Sequence, residues 1–155
     1  MKLIAHRGNF DGIQLKQENT PEYLKRAIKL GYDVEIDARY LSGTMWLGHD
    51  EPTYPLSQED FMFFLVRKEV WWHAKDYTTL ATLMARGSWI KTFAHESDHC
   101  ALVSGGFVWT ADTNLILEPY NRTVFMVLET IERLPNLADK NPYAICTDNF
   151  VGLKP

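Results

Sequence analysis

Within the stretch Asp33 to Leu41 (DVEIDARYL), the eight residues from Asp33 to Tyr40 alternate between charged and apolar side chains. Residues two apart on a strand share a face. Val34, Ile36, Ala38 and Tyr40 therefore form one apolar face, and Glu35, Asp37 and Arg39 form the other. Any fold that accepts this strand must bury the first face and house the second. Glu35 and Asp37 have Cα atoms roughly 6.6 Å apart along such a strand. Two carboxylates that close repel unless positive charge sits between them. Oxygen donors of this kind suit Mg²⁺ or Ca²⁺. An edge strand with a solvated acidic face is the competing reading, and the pattern alone weighs the two equally.

Around this strand, strand-like and helix-like segments alternate. Lys2 to Arg7 reads as a short buried strand, and residues 9–19 as a polar loop. Thr20 before Pro21 predicts a helix N-cap with Pro at the first helical position. Leu24, Ala27 and Ile28 then make one apolar stripe. Gly31 fits the position that ends the helix. Met45 to His49 follows a Ser42-Gly43 turn as a second short strand. Glu59 to Lys68 and Tyr77 to Arg86 read as helices. Val70 to Lys75, Trp89 to His95, Phe107 to Thr110, Thr123 to Glu129 and Tyr143 to Asn149 read as strands. Thr130 to Ala138 is a short helical stretch interrupted by Pro135. Strands alternating with helices predict parallel βαβ units and an α/β fold. A complete eight-unit barrel has about 250 residues. The 155 residues here predict one domain, 1–155, folded as a shortened or incomplete TIM-type (β/α) barrel.

Composition excludes several functions. The apolar share of 46% supports a real core, and a net charge of −4 without a basic stripe argues against nucleic-acid binding. Cys100 and Cys146 form no close pair, so neither a redox motif nor a thiolate zinc site is expected. No apolar run reaches the ~20 residues of a membrane span, nor the ~7–15 of a secretory signal. A soluble, cytoplasmic protein with two reduced thiols is expected.

His6 and Arg7 end the first strand, and His49-Asp50 ends another. Catalytic groups sit at the C-terminal ends of barrel strands. Arg grips phosphate oxygens through a planar fork, and His moves protons near neutral pH. Taken singly, each His is more often structural than catalytic. Four segments now stand in order: His6-Arg7-Gly8, Glu18-Asn19-Thr20, Glu35-Ile36-Asp37 and Gly48-His49-Asp50. Their order and spacing resemble the motifs of the glycerophosphodiester phosphodiesterase family, within the wider phospholipase C-like phosphodiesterases. Cys146-Thr147-Asp148 resembles that family's motif on its last strand.

The resemblance implies a (β/α) barrel that hydrolyses glycerophosphodiesters, small phosphodiesters of lipid metabolism, with a divalent cation (Mg²⁺, Ca²⁺ or Mn²⁺). It implies Glu35 and Asp37 as metal ligands, His6 and His49 as the acid–base pair, and Arg7 as phosphate holder. Glu18 would stand by as support. It also implies that a substrate hydroxyl attacks first, giving a cyclic phosphate that water opens.

The sequence departs from the family pattern in two places. Gln17 replaces a Pro. On the third strand the family has a ligand Glu two residues before a Lys. Here Lys75 keeps its place as a phosphate-binding candidate, and His73 takes the Glu position. Imidazole suits softer metals than calcium. Either His73 is a ligand for such a metal, or it is a core His bonded to the acids, or Glu129 or Glu96 fills in. His95, Glu96, Asp98 and His99 read best as a polar loop. Three functions follow: a phosphodiesterase, a catalytically impaired relative that binds a phosphate-containing ligand or metal, and a lyase acting on lysophospholipids. No extended apolar loop supports the last.

Overall fold

The computed structural model describes residues 1–114, 120–128, 134–150, 153 and 155. Strand β1 (Lys2–His6) leads through a polar loop to helix α1 (Pro21–Lys29). Thr20 Oγ1 accepts the Tyr23 N–H at 3.3 Å, satisfying a donor that the first helical turn leaves open. Strand β2 (Asp33–Leu41) reverses into β3 (Thr44–Leu47), and β4 (Tyr54–Pro55) pairs with β3. Helix α2 (Gln58–Leu65) is capped by Ser57, whose Oγ accepts the Asp60 N–H at 3.0 Å. Strand β5 (Val70–Ala74) precedes α3 (Tyr77–Met84), capped by Asp76 through the Thr79 N–H at 2.7 Å. Then come β6 (Lys91–Phe93), β7 (Cys100–Val103), β8 (Phe107–Thr110), β9 (Thr123–Met126), α4 (Leu134–Asp139) and β10 (Ala144–Thr147).

All ten strands belong to one sheet. Its parallel part runs β8-β9-β10-β1-β2-β5-β6. Strand β7 joins β8 antiparallel, and β3 joins the distal half of β2 antiparallel. The sheet curls until its β6 edge meets the end of β7. There the Ser104 N–H donates to the Thr92 carbonyl at 2.9 Å, and the Thr92 N–H donates to Ser104 Oγ at 2.8 Å.

This architecture corrects the expected fold class. A shortened or incomplete TIM-type barrel would keep a helix after each strand. The molecule is instead a mostly-sheet, curled half-barrel of mixed strands with only four short α-helices among the described residues. The chain from Phe93 to Phe107 builds β7 and a hairpin where a crossover helix would be needed. Chain length is the physical reason. A parallel crossover takes a dozen residues or more, whereas an antiparallel return needs only a tight turn. Gly105 and Gly106, both at positive φ, make that turn.

Alternation along each strand sorts side chains to two faces. Leu3, Ala5, Val34, Ile36 and Trp72 point outward and pack with Leu24 and Ala27 of α1, Phe64 of α2 and Leu83 of α3. Trp72 meets the edge of Phe61 at 6.0 Å between ring centroids. Ile4, Trp71, Phe93, Trp109, Val124 and Cys146 point inward and fill the concave side. Trp71 lies 5.4 Å from Phe107 and 5.9 Å from Trp109, centroid to centroid. The floor of the curl is thus solid, and the chemistry is confined to its mouth, at the C-terminal ends of β1, β2 and β5. Both cysteines are free thiols. Among the described residues, no helix is long and apolar enough to cross a membrane.

Candidate active site

The register of three adjacent parallel strands assembles the mouth. His6 lies opposite Glu35, and Asp37 opposite His73. Glu35 and Asp37 are 2% and 1% exposed, so the acidic face of β2 is enclosed rather than solvated. His73 Nδ1 stands 3.0 Å from Asp37 Oδ1 and 3.5 Å from Glu35 Oε1. His6 Nε2 faces Glu35 Oε2 at 4.0 Å. Immediately after β1 the chain turns sharply, with Arg7 at φ 52° and Gly8 at φ 87°. A left-handed non-Gly residue costs on the order of 1 kcal/mol or more and gathers at functional sites. Here the turn aims the Arg7 N–H at Glu35 Oε2, 3.1 Å away.

A set of polar side chains fixes these groups from behind. His6 Nδ1 lies 2.9 Å from Asp148 Oδ1. A carboxylate only accepts, so Nδ1 carries the proton and donates it to Asp148, leaving Nε2 toward the mouth. Asn9, fully buried, donates to Asp148 Oδ1 at 2.7 Å and to Glu18 Oε1 at 2.9 Å. Glu18 Oε2 accepts from Arg7 Nη1 at 3.2 Å. Asn19 donates its amide to Asp37 Oδ2 and accepts the Asp37 N–H, both at 3.0 Å. That grip holds one carboxylate oxygen back and turns Oδ1 toward His73. The Arg7 Nε sits 3.1 Å from Asp37 Oδ2, and Lys75 Nζ 3.5 Å from Asp37 Oδ1.

Charge is concentrated out of water here. Burial opposes the ionised form of Asp37, but His73 beside it, then Lys75 and Arg7, hold its pKa well below the ordinary range. Burial also opposes the charged form of His6. The Asp148 hydrogen bond and the Glu35 charge outweigh it, and the His6 pKa is raised. His73 is raised against its own burial by Asp37 and Glu35. Asp148 is lowered, its burial overcome by His6 and Asn9.

A cavity of about 170 Å³ opens over these groups, lined by His6, Arg7, Glu35, His49, His73 and His95 among others. His49 reaches it from the bend after β3, not from a strand end, since β3 stops at Leu47. Arg39 holds that bend by donating to the carbonyls of Gly48, His49 and Asp50, the latter two at 2.8 and 2.9 Å. Gly48 has φ 147°, and a Cβ there would meet the Glu51 carbonyl at 2.1 Å, so the bend needs glycine. The half-exposed His49 pairs with Asp50 at 2.7 Å. Lys75 lines a separate cleft of about 360 Å³ with Tyr77, His95 and Asp98.

Glu35, Asp37 and His73 each offer a ligand atom within 4.8 Å of the others, all three residues being buried. Donors about 2.1 Å from one ion lie roughly 3.0–3.4 Å apart at octahedral or tetrahedral angles, close to the His73 spacings above. Asp37 Oδ1 is buried and makes no hydrogen bond, with His73 Nδ1 at 3.0 Å and Lys75 Nζ at 3.5 Å beside it. A buried acceptor without a hydrogen bond is rare, and it keeps lone pairs that a cation can take. The donor set therefore fits a divalent cation.

Of the residues singled out in the sequence, His6, Arg7, Glu35, Asp37, His49 and His73 converge. Lys75 touches Asp37 from the neighbouring cleft. Glu18 supports Arg7 and does not join the donor set. Glu129 lies outside the described residues. Glu96 is exposed, and the groups at 95–99 form no second metal-binding set among the described residues. Sequence reading gave no role to Asn9, Asn19, Arg39 or Asp148, nor to His95, whose ring lies parallel to His73 at 4.8 Å. For Asn19 and Asp148 the motif segments themselves were the available signal. Comparison with known proteins finds no match: no family model, curated protein or solved structure is significantly similar to this chain.

Proposed function

We propose that this chain is a divalent-cation-dependent phosphodiesterase acting on small glycerophosphodiester-type substrates, with His6 and His49 as its acid–base pair. The reading is supported by one observation above all. Four motif segments resemble a phosphodiesterase signature, and residues of three of them, His6, Arg7, Glu35 and His49, line one cavity beside a buried Glu35-Asp37-His73 donor set.

Glu35, Asp37 and His73 would hold the cation, which supplies neutralisation of phosphoryl charge when bound. Arg7 offers a second cation at the same mouth. A substrate hydroxyl attacks phosphorus, and its proton passes to one imidazole. The bond from phosphorus to the leaving alcohol breaks, and the other imidazole protonates that alcohol. Water then opens the cyclic phosphate, so one diester and one water give one monoester and one alcohol. Asp148 and Glu35 favour the charged form of His6, which suits the proton-donor role and leaves His49 as the base.

A second reading is a catalytically impaired relative that binds a phosphate-containing ligand or a metal. It draws on the engagement of Arg7 by Glu18 and Asp37 and of Lys75 by Asp37. Turnover of bis(p-nitrophenyl) phosphate by protein stripped with EDTA, before and after a panel of divalent ions, separates the two. The proposal expects activity only after metal is restored. Binding of metal without turnover under any ion would favour the impaired relative.

A further inference from the structure

The chemistry of the third donor says which kind of cation the mouth is built for. Calcium takes 6–8 oxygen ligands in flexible arrangements, and magnesium keeps its waters beside one or two carboxylates. Neither gains from an imidazole, whereas zinc and the later first-row ions such as cobalt do. His73 sits with a ring nitrogen turned to both acids. Its ring is held parallel to Phe93 and His95, at centroid distances of 4.9 and 4.8 Å and within 5° of both planes. Asp37 is held equally firmly by Asn19 at two points. Asp37 Oδ1, in a residue 1% exposed, makes no hydrogen bond and faces His73 Nδ1 at 3.0 Å. A stiff donor set of few ligands disfavours an ion that wants many adaptable oxygens.

We propose that His73 makes the Glu35-Asp37-His73 set a site for a borderline transition-metal ion, Co²⁺ or Zn²⁺, in preference to Ca²⁺ or Mg²⁺. This rests on reading the mouth as a metal site, and it names the ion class that the phosphodiesterase proposal leaves open.

The test uses the metals alone. Stripped protein is dialysed against equimolar Zn²⁺ and Ca²⁺, and separately against Co²⁺ and Mg²⁺, and bound metal is counted by mass spectrometry. One transition ion per chain is expected, with a preference on the order of 100-fold. His73→Glu exchanges nitrogen for hard oxygen and is expected to retain one ion per chain while cutting the preference at least about tenfold. The visible absorption of the Co²⁺ form should shift in His73→Glu and stay unchanged in His99→Ala/Cys100→Ser, which removes nearby exposed donors. Should His73→Glu not fold, His73→Gln carries the comparison, with loss of Zn²⁺ affinity expected. Equal affinity of wild type for Ca²⁺ and Zn²⁺ would overturn the proposal. So would a preference that survives both His73 variants or disappears in His99→Ala/Cys100→Ser. No readout needs a phosphodiester. A selective protein that cleaves none removes the catalytic reading alone, and an active protein selective for Ca²⁺ removes this one alone.

Discussion

Asp33 and Asp37 stand four residues apart on the same inward face of β2, one at the floor of the curl and one at its mouth. At the floor, Asp33 Oδ1 meets Lys2 Nζ at 2.7 Å, and Oδ2 accepts from Trp71 Nε1 at 3.0 Å with Lys91 Nζ 3.6 Å away. Both oxygens are occupied, and aromatic rings close over the group. Lys91 itself lies 3.9 Å from the centre of the Trp71 ring. At the mouth, Asp37 Oδ2 takes the Asn19 amide, while Oδ1 makes no hydrogen bond and has only the charges of His73 and Lys75 beside it, at 3.0 and 3.5 Å. The same residue type on one strand face is thus hydrogen-bonded through Oδ2 at both ends, to Trp71 and to Asn19, but is paired at Oδ1 by a lysine hydrogen bond at one end and by charge alone at the other. The difference follows strand direction. At the N-terminal ends the donors come from the sheet itself, from Lys2, Trp71 and Lys91. At the C-terminal ends Asn19, Arg7 and Lys75 come from loops and only His73 from a strand, and Oδ1 is left without a hydrogen bond.

Exchanging the two acids should break the comparison most clearly. Asp37→Asn is expected to weaken metal binding, read by calorimetry, by more than the roughly 10–100-fold that loss of an outer-shell partner costs. Asp33→Ala is expected to leave metal affinity unchanged and to lower unfolding free energy in urea by roughly 3–5 kcal/mol, because it strands the Lys91 charge. Equal effects of both on metal binding would erase the distinction. Asn19→Ala, which frees the held oxygen of Asp37, should cost metal affinity about 10–100-fold without changing the urea midpoint greatly.

The smallest effect concerns pH. Burial, assisted by Lys2 and opposed by Asp33, lowers the Lys91 pKa from 10.5 to about 8. Between those values the unfolded chain holds the proton that the folded one has lost. The unfolded state binds more protons there, so stability contributed by this group rises with pH across that window. In Lys91→Met the difference from wild type should change with pH from 8 to 10.5. A constant difference would place an ordinary lysine at the floor.

The local period of β2 was legible because alternation depends only on neighbouring residues. The start of α1 was legible for the same reason, through Thr20 and Pro21. The fold class was not. Alternating strand and helix segments fix local order, but the stretch from Phe93 to Phe107 held Cys100–Val103, a four-residue strand with exposed Cys100 and Leu102 and no strong pattern. Its antiparallel return replaced an expected crossover and changed the architecture. The gathering of His6, Arg7, Glu35, Asp37 and His49 around one mouth was legible because motif segments carry them. Its supports were hidden because they act across the sheet. Asp148 reaches His6 only because β10 pairs with β1, a contact that no spacing within either segment announces. The role of Arg39 depends on the fold of the 48–50 bend, which places three carbonyls before it.

The central claim is that the two imidazoles at the mouth drive metal-dependent cleavage of a phosphodiester. Phosphorus NMR of glycerophosphocholine with metal-restored protein tests it directly, wild type against His6→Ala/His49→Ala. The account predicts conversion of the diester to a phosphomonoester by wild type, and a rate lower by at least about 10²–10⁴ in the folded, metal-loaded double variant. Equal rates in the two proteins, or a diester signal unchanged by wild type with every divalent ion, would contradict it.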